Sequence, residues 1–298
     1  MRSRVSTRKE KATRRLRVAM SALAMLCVPS GLAGQETSSA ERFFDSDGVR
    51  IRYLDIGDGE AVVLLHGFSL SAEANWSLTG LLDSLPQEYR MLALDQRGHG
   101  RSDKPHDPEA YGLEFVEDVI RLLDALEIET AHVVGYSMGG GVALRLAAHH
   151  PDRVRSVVVG GAGWTPPGTP LPPDVQEWPN KIERIADEGG SLTDAMWLPG
   201  WPDPTPEMRA FLDGNDARAL AAVLRAMPEQ LTAASVGAIG VPILAVIGEA
   251  DFARPAVDAL VEVNPNVEVS VLAGKNHATA VFDAELGQVV LEFLREQR

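Results

Sequence analysis

Continuous apolar runs recur along the chain, and each is separated from the next by a segment with helical spacing. The run at 61–67, "AVVLLHG", is followed by "MLALD", "AHVVG", "SVVVGG" and "PILAVIG" further on. A strand that is apolar at every position is buried on both faces, which is typical of a parallel sheet. Strands that alternate with helices in this way predict an α/β fold, with a mostly parallel sheet flanked by helices on both faces.

The strand at the start of this series has a different pattern. Residues 49–56, "VRIRYLDI", alternate between apolar and polar side chains. Such alternation is typical of a strand with one solvated face, so we expect a half-exposed edge strand here.

The alternation breaks off between Gly163 and Gly240. The interval begins with the proline-rich stretch "WTPPGTPLPPDVQEWPN", and helical patterns such as "DARALAAVLRAM" come later. We therefore predict a helical cap at 163–240, inserted into a core made of 41–162 and 241–298. The cap has four tryptophans, and we expect most of them to pack its own small core and its seam with the sheet rather than a substrate pocket: Trp164, Trp178, Trp197 and Trp201.

One serine stands where a strand is predicted to turn into a helix. In "VVGYSMGGG", Ser137 follows an apolar run and precedes an alanine-rich helical segment. A sharp strand–turn–helix bend brings the backbone on either side of the serine together, so Gly135 and Gly139 are the residues that this geometry requires. The bend also exposes the hydroxyl at a helix N-terminus, whose free N–H groups suit an oxyanion. Ser137 is our candidate nucleophile.

A serine hydroxyl needs a base, and the base needs a group that orients it. His277 in "GKNHAT" follows the last predicted strand, and Asp251 in "GEADF" follows the strand before it. Both positions lie at the carboxyl end of a strand, where open α/β sheets place their sites. Taken singly, each residue could equally be a turn histidine or a helix-capping aspartate. Glu249, two residues from Asp251, is the alternative acid.

The other six histidines have no partner pattern of this kind. We expect His66 to shape the loop after its strand and His99 to lie in a glycine turn. The remaining four are interpreted as structural or solvated: His106, His132, His149 and His150.

From about residue 41 to its end, the chain resembles the α/β-hydrolases of the serine hydrolase branch. The resemblance rests on "HGF", "DQRGHGRSD", "GYSMGG", "GEAD" and "GKNH", in that order. It implies Ser137 as nucleophile, Asp251 as the acid and His277 as the base. It also implies an oxyanion hole made by the backbone N–H groups of Phe68 and Met138, and no metal or organic cofactor.

The wording around the serine is similar to esterases, carbon–carbon-bond hydrolases and cofactor-free haloperoxidase-like members. A serine at this position disfavours the branches of the family that use aspartate there. We expect hydrolysis of a small to medium neutral ester or a lactone. A carbon–carbon-bond hydrolase and a ligand-binding or sensing protein on the same fold remain the alternatives, and the oligomeric state stays open.

Charge is distributed unevenly along the chain. The formal net charge is -14, yet residues 1–33 have eight Lys or Arg and a single acid, which leaves a strongly acidic remainder. Such a surface repels nucleic acid and anionic membranes, so the expected partner is a small molecule.

The first 33 residues have the layout of a secretory signal peptide. A basic stretch precedes the apolar run "VAMSALAMLCV", and the small residues Gly31, Leu32 and Ala33 make a plausible cleavage site. The apolar run is about half as long as a spanning helix, which needs roughly 20 residues. We expect export rather than a retained membrane anchor. The chain's single cysteine, Cys27, lies within this segment.

Overall fold

The computed structural model describes residues 41–170, 172–226 and 230–298. The expected signal peptide at 1–33 lies outside these ranges. The described part is built on one eight-stranded sheet. Its strands are β1 (Glu41–Ser46), β2 (Val49–Ile56), β3 (Ala61–Leu65), β4 (Arg90–Asp95), β5 (Ala131–Tyr136), β6 (Val154–Gly160), β7 (Ile243–Gly248) and β8 (Val267–Leu272).

The sheet is mostly parallel, as predicted. Its order is β1-β2-β4-β3-β5-β6-β7-β8, and β2 is antiparallel to both of its neighbours. The six strands from β3 to β8 are parallel, so their carboxyl ends lie along one edge. The loops that leave this edge contain every residue that we selected as a candidate for chemistry.

The prediction of an edge strand at 49–56 is wrong. β2 lies between β1 and β4, and its central residues Ile51 to Leu54 are buried. The edge strand on this side of the sheet is β1, "ERFFDS", whose sequence has no strand pattern that we recognised. Arg52 accounts for the misleading alternation: this arginine is buried, and it pairs with the carboxylates of Glu41 and Glu73.

Helices cover both faces of the sheet. They are α1 (Ala72–Trp76), α2 (Leu81–Ser84), α3 (Glu114–Ala125), α4 (Met138–His149), α5 (Pro173–Gln176), α6 (Trp178–Glu188), α7 (Leu192–Met196), α8 (Pro206–Asp213), α9 (Ala217–Arg225), α10 (Ala233–Gly237), α11 (Arg254–Val263), α12 (His277–Ala280) and α13 (Ala284–Glu296). Single 3₁₀ turns lie at Leu85–Gln87, Pro108–Ala110 and Pro151–Arg153.

Alternate residues of each buried strand supply two separate cores. In β3, Val63 and Leu65 pack on the side of α3 and α4, whereas Val62 and Leu64 pack on the side of α13. Both sets are fully buried, which explains why these strands are apolar at every position. The last helix contributes Leu286, Val290 and Phe293 to the second core.

The segment 163–240 holds helices α5 to α10 and, among its described residues, no strand. Helix α6 packs against α9 and α7 around a small cluster of its own, which includes Ile182, Leu192 and Leu220. The two ends of the segment pack into the main core instead. Trp164 donates its indole N–H to the carbonyl of Leu231, and α10 packs against α4 and α11.

Candidate active site

Ser137 occupies a strained bend between β5 and α4. Its backbone has φ 51° and ψ −111°, a conformation that non-glycine residues rarely adopt. A Cβ atom at Gly135 would lie 2.1 Å from the carbonyl oxygen of Gly139, and one at Gly139 would lie 2.1 Å from the carbonyl oxygen of Leu65. The two glycines therefore allow the bend, as the sequence pattern indicated. The Ser137 N–H donates to the carbonyl of Gly160 at 2.7 Å, which ties the bend to β6.

The structure brings Ser137, His277 and Asp251 into one hydrogen-bonded chain. The Nε2 atom of His277 lies 3.0 Å from the Ser137 hydroxyl oxygen, and its Nδ1 atom lies 3.0 Å from both Asp251 carboxylate oxygens. The Asp251 side chain is fully buried and the His277 side chain is 11% exposed. Because a carboxylate can only accept, Nδ1 donates to it and Nε2 is free to accept the serine proton. This arrangement can activate the hydroxyl as a nucleophile.

Short-range hydrogen bonds hold the base and the acid in place. Asn276 caps the turn at His277–Ala280, and its side chain accepts the N–H groups of Ala278 and Thr279. One carboxylate oxygen of Asp251 also accepts the N–H of Ala253 at 2.8 Å. The alternative acid, Glu249, instead accepts the N–H of Gly274, so the structure places Asp251 against the histidine.

Three aromatic rings surround the imidazole of His277. Ring centroids lie 4.5 Å away for Phe252, 5.4 Å for Tyr136 and 6.2 Å for Trp201, whose ring is nearly parallel to the imidazole. The Tyr136 hydroxyl donates to the backbone carbonyl of His277 at 2.7 Å, and burial raises the pKa of this phenol well above its usual value. Tyr136 is therefore a neutral donor that fixes the loop of the base.

The loop after β3 lies beside the serine. A Cβ atom at Gly67 would be 3.6 Å from that of Ser137, so the next backbone N–H, that of Phe68, belongs to a loop in contact with the nucleophile. The N–H of Met138 begins α4 on the other side. Within the described residues, neither N–H donates to a protein acceptor. These are the two groups that the sequence predicted for an oxyanion.

Buried polar side chains beneath this loop fix its position. The Oδ1 atom of Asn75 accepts the Gly67 N–H at 2.9 Å. His66 joins two loops: its Nδ1 lies 2.8 Å from the Gly67 carbonyl, and its Nε2 accepts the N–H of Gln96 at 3.0 Å. Those partners require a neutral ring protonated at Nδ1. Burial agrees, because it lowers the pKa of His66 to about 4.

Neither Asn75 nor Gln96 was predicted from the sequence, and for His66 only a loop-shaping role was expected. Gln96 lies in "DQRGHG", where its backbone N–H and its side-chain amide both contact His66. Nothing in the local pattern marks Asn75, because only the tertiary fold brings it to Gly67.

A cavity of about 100 Å³ opens at the serine hydroxyl. Its wall is almost wholly apolar and is rich in aromatic and sulfur-containing side chains: Phe68, Tyr136, Trp178, Met196, Trp197, Trp201, Met208 and Phe282. Three of the four cap tryptophans therefore face the cavity, and only Trp164 packs wholly in the core. The expectation that most of them pack the cap's own core and its seam with the sheet, rather than a substrate pocket, is wrong, because three of the four line the cavity.

Of the residues that the structure describes, no lysine, arginine, aspartate or glutamate lines this cavity. The described residues also contain no group of three or more His, Cys, Asp or Glu side chains placed to hold a metal ion. Within the same ranges, every helix is too short or too polar to cross a membrane.

Known proteins are similar to this chain in sequence and in structure. Residues 60–199 match the family model of the alpha/beta hydrolase fold. The chain is 35% identical over 184 residues to a 2-hydroxymuconate semialdehyde hydrolase of Pseudomonas sp. (strain CF600), which covers 61% of this chain and 56% of that one. It is 43% identical over 136 residues to the dihydrolipoyllysine-residue acetyltransferase component of the acetoin cleaving system of Cupriavidus necator, covering 44% and 34% respectively.

The chain thus spans about a third to just over half of the length of these two curated relatives. Similarity extends further among solved structures. A hydrolase from Pseudomonas aeruginosa PA01 superposes with a TM-score of 0.73 at 27% identity, over 86% of this chain and 99% of the other. The family model, the sequence relatives and this structural match agree with the observed sheet order: the chain has the α/β-hydrolase fold.

Proposed function

We propose that this protein is a serine hydrolase that cleaves a small to medium neutral carboxylic ester or a lactone through an acyl-enzyme. The observation that carries the proposal is the chain of 3.0 Å contacts from the Ser137 hydroxyl through His277 to Asp251. A bent backbone holds the nucleophile, a histidine lies at its hydroxyl, and a buried carboxylate orients the histidine. That combination supports nucleophilic catalysis on an acyl carbon.

The proposed reaction uses only these side chains and two backbone donors. His277 takes the proton of Ser137 through Nε2 as the hydroxyl oxygen attacks the carbonyl carbon, and Asp251 stabilises the imidazolium that forms. The N–H groups of Phe68 and Met138 donate hydrogen bonds to the negatively charged oxygen that forms. One such donor typically contributes about 3 kcal/mol of transition-state stabilisation. His277 then returns the proton to the leaving alcohol. Water, activated by the same histidine, releases the acid from Ser137.

The cavity supports a neutral, mostly apolar substrate. Among the described residues, its wall has no lysine, arginine, aspartate or glutamate, and an isolated charge on a substrate in such surroundings would be costly to desolvate. A cavity that holds a single water has a volume of about 10–15 Å³. The cavity of about 100 Å³ at Ser137 therefore has room for a short substituent. This is the reason for proposing a small to medium acyl group.

The relationship to a 2-hydroxymuconate semialdehyde hydrolase favours the second candidate, a carbon–carbon-bond hydrolase with the same three residues. The name of that substrate denotes a carboxylate, which a protein normally binds with arginine or lysine. No such residue lines the cavity here, and for that reason we place ester or lactone hydrolysis first. A ligand-binding or sensing role would show single-turnover acylation without sustained hydrolysis.

We also propose that the protein is exported. Support comes from the sequence of residues 1–33, in which a basic stretch precedes a short apolar run and small residues. Expression of the full chain in a bacterial host, followed by N-terminal sequencing of the periplasmic and medium fractions, tests this. A chain that starts close to residue 34 in either fraction is expected, whereas an intact N-terminus retained with the cells contradicts export.

Turnover of p-nitrophenyl esters from acetate to laurate tests the hydrolase proposal. We expect sustained hydrolysis that is lost in Ser137→Ala and retained in the control Ser77→Ala, because Ser77 is an exposed serine at the end of α1. The acyl chain length that gives the highest kcat/KM indicates the size of the cavity. Equal activity of the Ser137→Ala and wild-type proteins would contradict the assignment. Activity on a vinylogous diketone, with none on esters or lactones, would favour the second candidate.

A further inference from the structure

The loop after β3, which contains the proposed oxyanion donor Phe68, includes a strained turn. The Leu70 N–H donates to the Gly67 carbonyl at 3.2 Å and closes a four-residue turn whose third residue is Ser69. Ser69 has φ 61°, and a positive φ at the third position of a turn is normally adopted by glycine or asparagine. A serine persists in this conformation only where surrounding contacts hold it, so the turn requires a partner.

Asn215, in the loop between α8 and α9, is such a partner. Its side-chain nitrogen donates to the Ser69 carbonyl at 3.2 Å, between residues 146 positions apart in sequence. The same nitrogen lies 3.2 Å from the carbonyl oxygen of Phe211 and 3.1 Å from that of Leu212. Three carbonyl oxygens around one amide atom require that atom to be the nitrogen. The two contacts within α8 are those of a helix cap, whereas the contact with Ser69 joins the cap segment to the loop beside the nucleophile.

Two peptide groups connect Asn215 to the proposed oxyanion donor. The carbonyl of the peptide between Ser69 and Leu70 accepts from Asn215. The N–H of the same peptide donates to the Gly67 carbonyl. That carbonyl belongs to the peptide group whose N–H is that of Phe68. Hydrogen bonds in such a series polarise and orient one another, so a contact made by the cap segment acts on the N–H group proposed for the oxyanion.

The contacts that hold this loop from the core side act on a different residue. Asn75 accepts the N–H of Gly67, and the His66 ring lies at the carbonyl of Gly67. Asn215 instead holds the turn beyond Phe68. Among the described residues that line the cavity, Asn215 does not appear, so its effect on a reaction passes through the backbone of the loop rather than through contact with a substrate.

We propose that Asn215 is a positioning residue for the oxyanion hole. By holding the Ser69 carbonyl, it keeps the turn at positive φ and thereby keeps the Phe68 N–H in the orientation that stabilises the tetrahedral intermediate. Asn215 is then an exception within the cap segment, because its loss slows the reaction of every ester alike and leaves the choice among them unchanged. The inference rests on the proposed hydrolysis through an acyl-enzyme.

Asn215→Leu tests this proposal, because leucine has nearly the same size and shape but no N–H group. Acylation and deacylation both use the oxyanion hole, so we expect kcat to fall about tenfold while KM changes less than about twofold. The same factor is expected for each p-nitrophenyl ester from acetate to laurate. The loss is smaller than the roughly 10²–10³-fold that follows removal of an oxyanion donor, since the Phe68 N–H is displaced rather than deleted. An unchanged kcat would overturn the proposal.

A matched control separates this role from a loosened cap. Asp216→Ala removes the N-cap of α9, since the Asp216 carboxylate accepts the N–H of Ala219 at 3.0 Å. The substitution destabilises the neighbouring position without removing the contact between Asn215 and Ser69. We expect a lower melting temperature and an unchanged kcat. Equal losses of kcat in Asp216→Ala and Asn215→Leu would overturn the proposal and leave Asn215 as a helix cap.

Ser69→Gly tests whether Asn215 acts through the turn. Glycine adopts a positive φ without strain, so the turn then depends less on an outside donor. In the Ser69→Gly background we expect Asn215→Leu to lower kcat by less than about threefold, against about tenfold in the wild-type background. An equal loss in the two backgrounds would overturn the proposal.

Inhibitor binding reports on the oxyanion itself. A trifluoromethyl ketone adds to the Ser137 oxygen, with the hydroxyl proton passing to His277, and forms a tetrahedral oxyanion; the alcohol made by reducing the same ketone cannot. In Asn215→Leu we expect affinity for the ketone to fall about tenfold and affinity for the alcohol to change less than about twofold. Equal changes for both, in a protein whose wild type is active, would overturn this inference alone. If the wild type neither turns over an ester nor forms the ketone adduct, detected by ¹⁹F NMR, the proposed function fails and this inference fails with it.

Discussion

The loops that hold Ser137, Asp251 and His277 differ in kind from the segment 163–240 that covers them. Each of the three residues lies just beyond the carboxyl end of a parallel strand, and local contacts set its position: close-packed glycines for Ser137, a backbone N–H for Asp251 and the Asn276 cap for His277. The cap segment contributes Trp178, Trp201 and other wall residues from short helices and from the loops between them. Their position depends on contacts between elements far apart in sequence.

The residues proposed for catalysis and the residues that line the cavity thus belong to different parts of the fold. Ser137 and Asp251 follow β5 and β7, which are buried at every position, and His277 follows the edge strand β8 but is held against Asp251. Little can move in such a close-packed interior. The wall of the cavity is built on short helices with a small core of their own. Substitutions at the strand ends should therefore abolish activity or folding, and substitutions in the cap should mainly change which substrate is used.

The largest expected effect is on the acid. Asp251→Asn keeps the shape of the side chain but removes the negative charge that orients and stabilises the imidazole of His277. By the precedent of other triads we expect kcat to fall on the order of 10⁴-fold, measured with the best p-nitrophenyl ester. Glu249→Gln is the matched control and is expected to leave kcat nearly unchanged. A larger loss in Glu249→Gln than in Asp251→Asn would show that the wrong carboxylate has been assigned.

Next comes the backbone of the serine bend. In Gly139→Ala the added methyl group would meet the carbonyl oxygens of Leu65 at 2.1 Å and His66 at 2.8 Å, and backbone atoms cannot swing aside. We expect a loss of roughly 3 kcal/mol or more in the free energy of unfolding, from urea denaturation. Gly141→Ala, in the same helix, meets only the flexible end of Arg145 and should be neutral or slightly stabilising. Equal stability of the two variants would contradict the close approach.

The buried histidines beneath the oxyanion loop predict a pH dependence. Burial lowers the pKa of His66 to about 4 and that of His99 to about 3. Both rings are neutral in the folded protein, whereas in the unfolded chain they take up protons below pH 6.5. The stability they contribute is therefore complete above pH 6.5 and is lost as the pH falls towards 4, by about 3 kcal/mol for His66 alone.

Urea unfolding at pH 7, 5.5 and 4.5 measures this loss. His99→Phe keeps an aromatic ring at the site, which packs edge-on against His66 and Phe68, but removes one titrating group. We expect a smaller loss of stability between pH 7 and 4.5 in this variant than in the wild type. An identical loss in both would show that His99 does not contribute.

The smallest effect is expected in the cap. Met208 lines the cavity and is half-buried, so Met208→Ala enlarges the pocket without disturbing the serine bend. We expect the ratio of kcat/KM for a p-nitrophenyl decanoate over a butyrate to rise about tenfold, equivalent to about 1.4 kcal/mol. The exposed Leu78 lies outside the pocket, and Leu78→Ala should leave the ratio unchanged. A fall in activity on all chain lengths alike would mean that Met208 supports the site rather than its selectivity.

The sequence predicted those parts of the protein that follow from local patterns. Strands apolar at every position, the glycines around Ser137, and an aspartate and a histidine at strand ends each correspond to a local physical requirement, and the structure has all of them together. β1 was missed because "ERFFDS" has charged ends and no alternation. β2 was misread because its polar Arg52 is buried in ion pairs, which a pattern of polar and apolar residues cannot reveal.

The wall of the cavity could not be predicted for a related reason. A tryptophan in a short helix has the same local pattern whether it faces a core or a substrate, and only the packing of α6 to α9 decides between the two. The same holds for Asn75, whose amide oxygen reaches Gly67 because the tertiary fold brings α1 to the loop after β3. Sequence patterns thus singled out Ser137, His277 and Asp251, which the structure brings together, but not the side chains that line the cavity.

The central claim is that the Ser137 oxygen forms a covalent bond with the acyl group. Rapid acid quenching during turnover of the best p-nitrophenyl ester, followed by peptide mass spectrometry, tests it most directly. In the wild type we predict one acyl group per chain, located on the peptide that contains Ser137. In Asp251→Asn the fraction of acylated chains is higher if the substitution slows deacylation more than acylation. No acyl adduct should form in Ser137→Ala. An adduct on another residue, or sustained turnover by Ser137→Ala, would contradict the account.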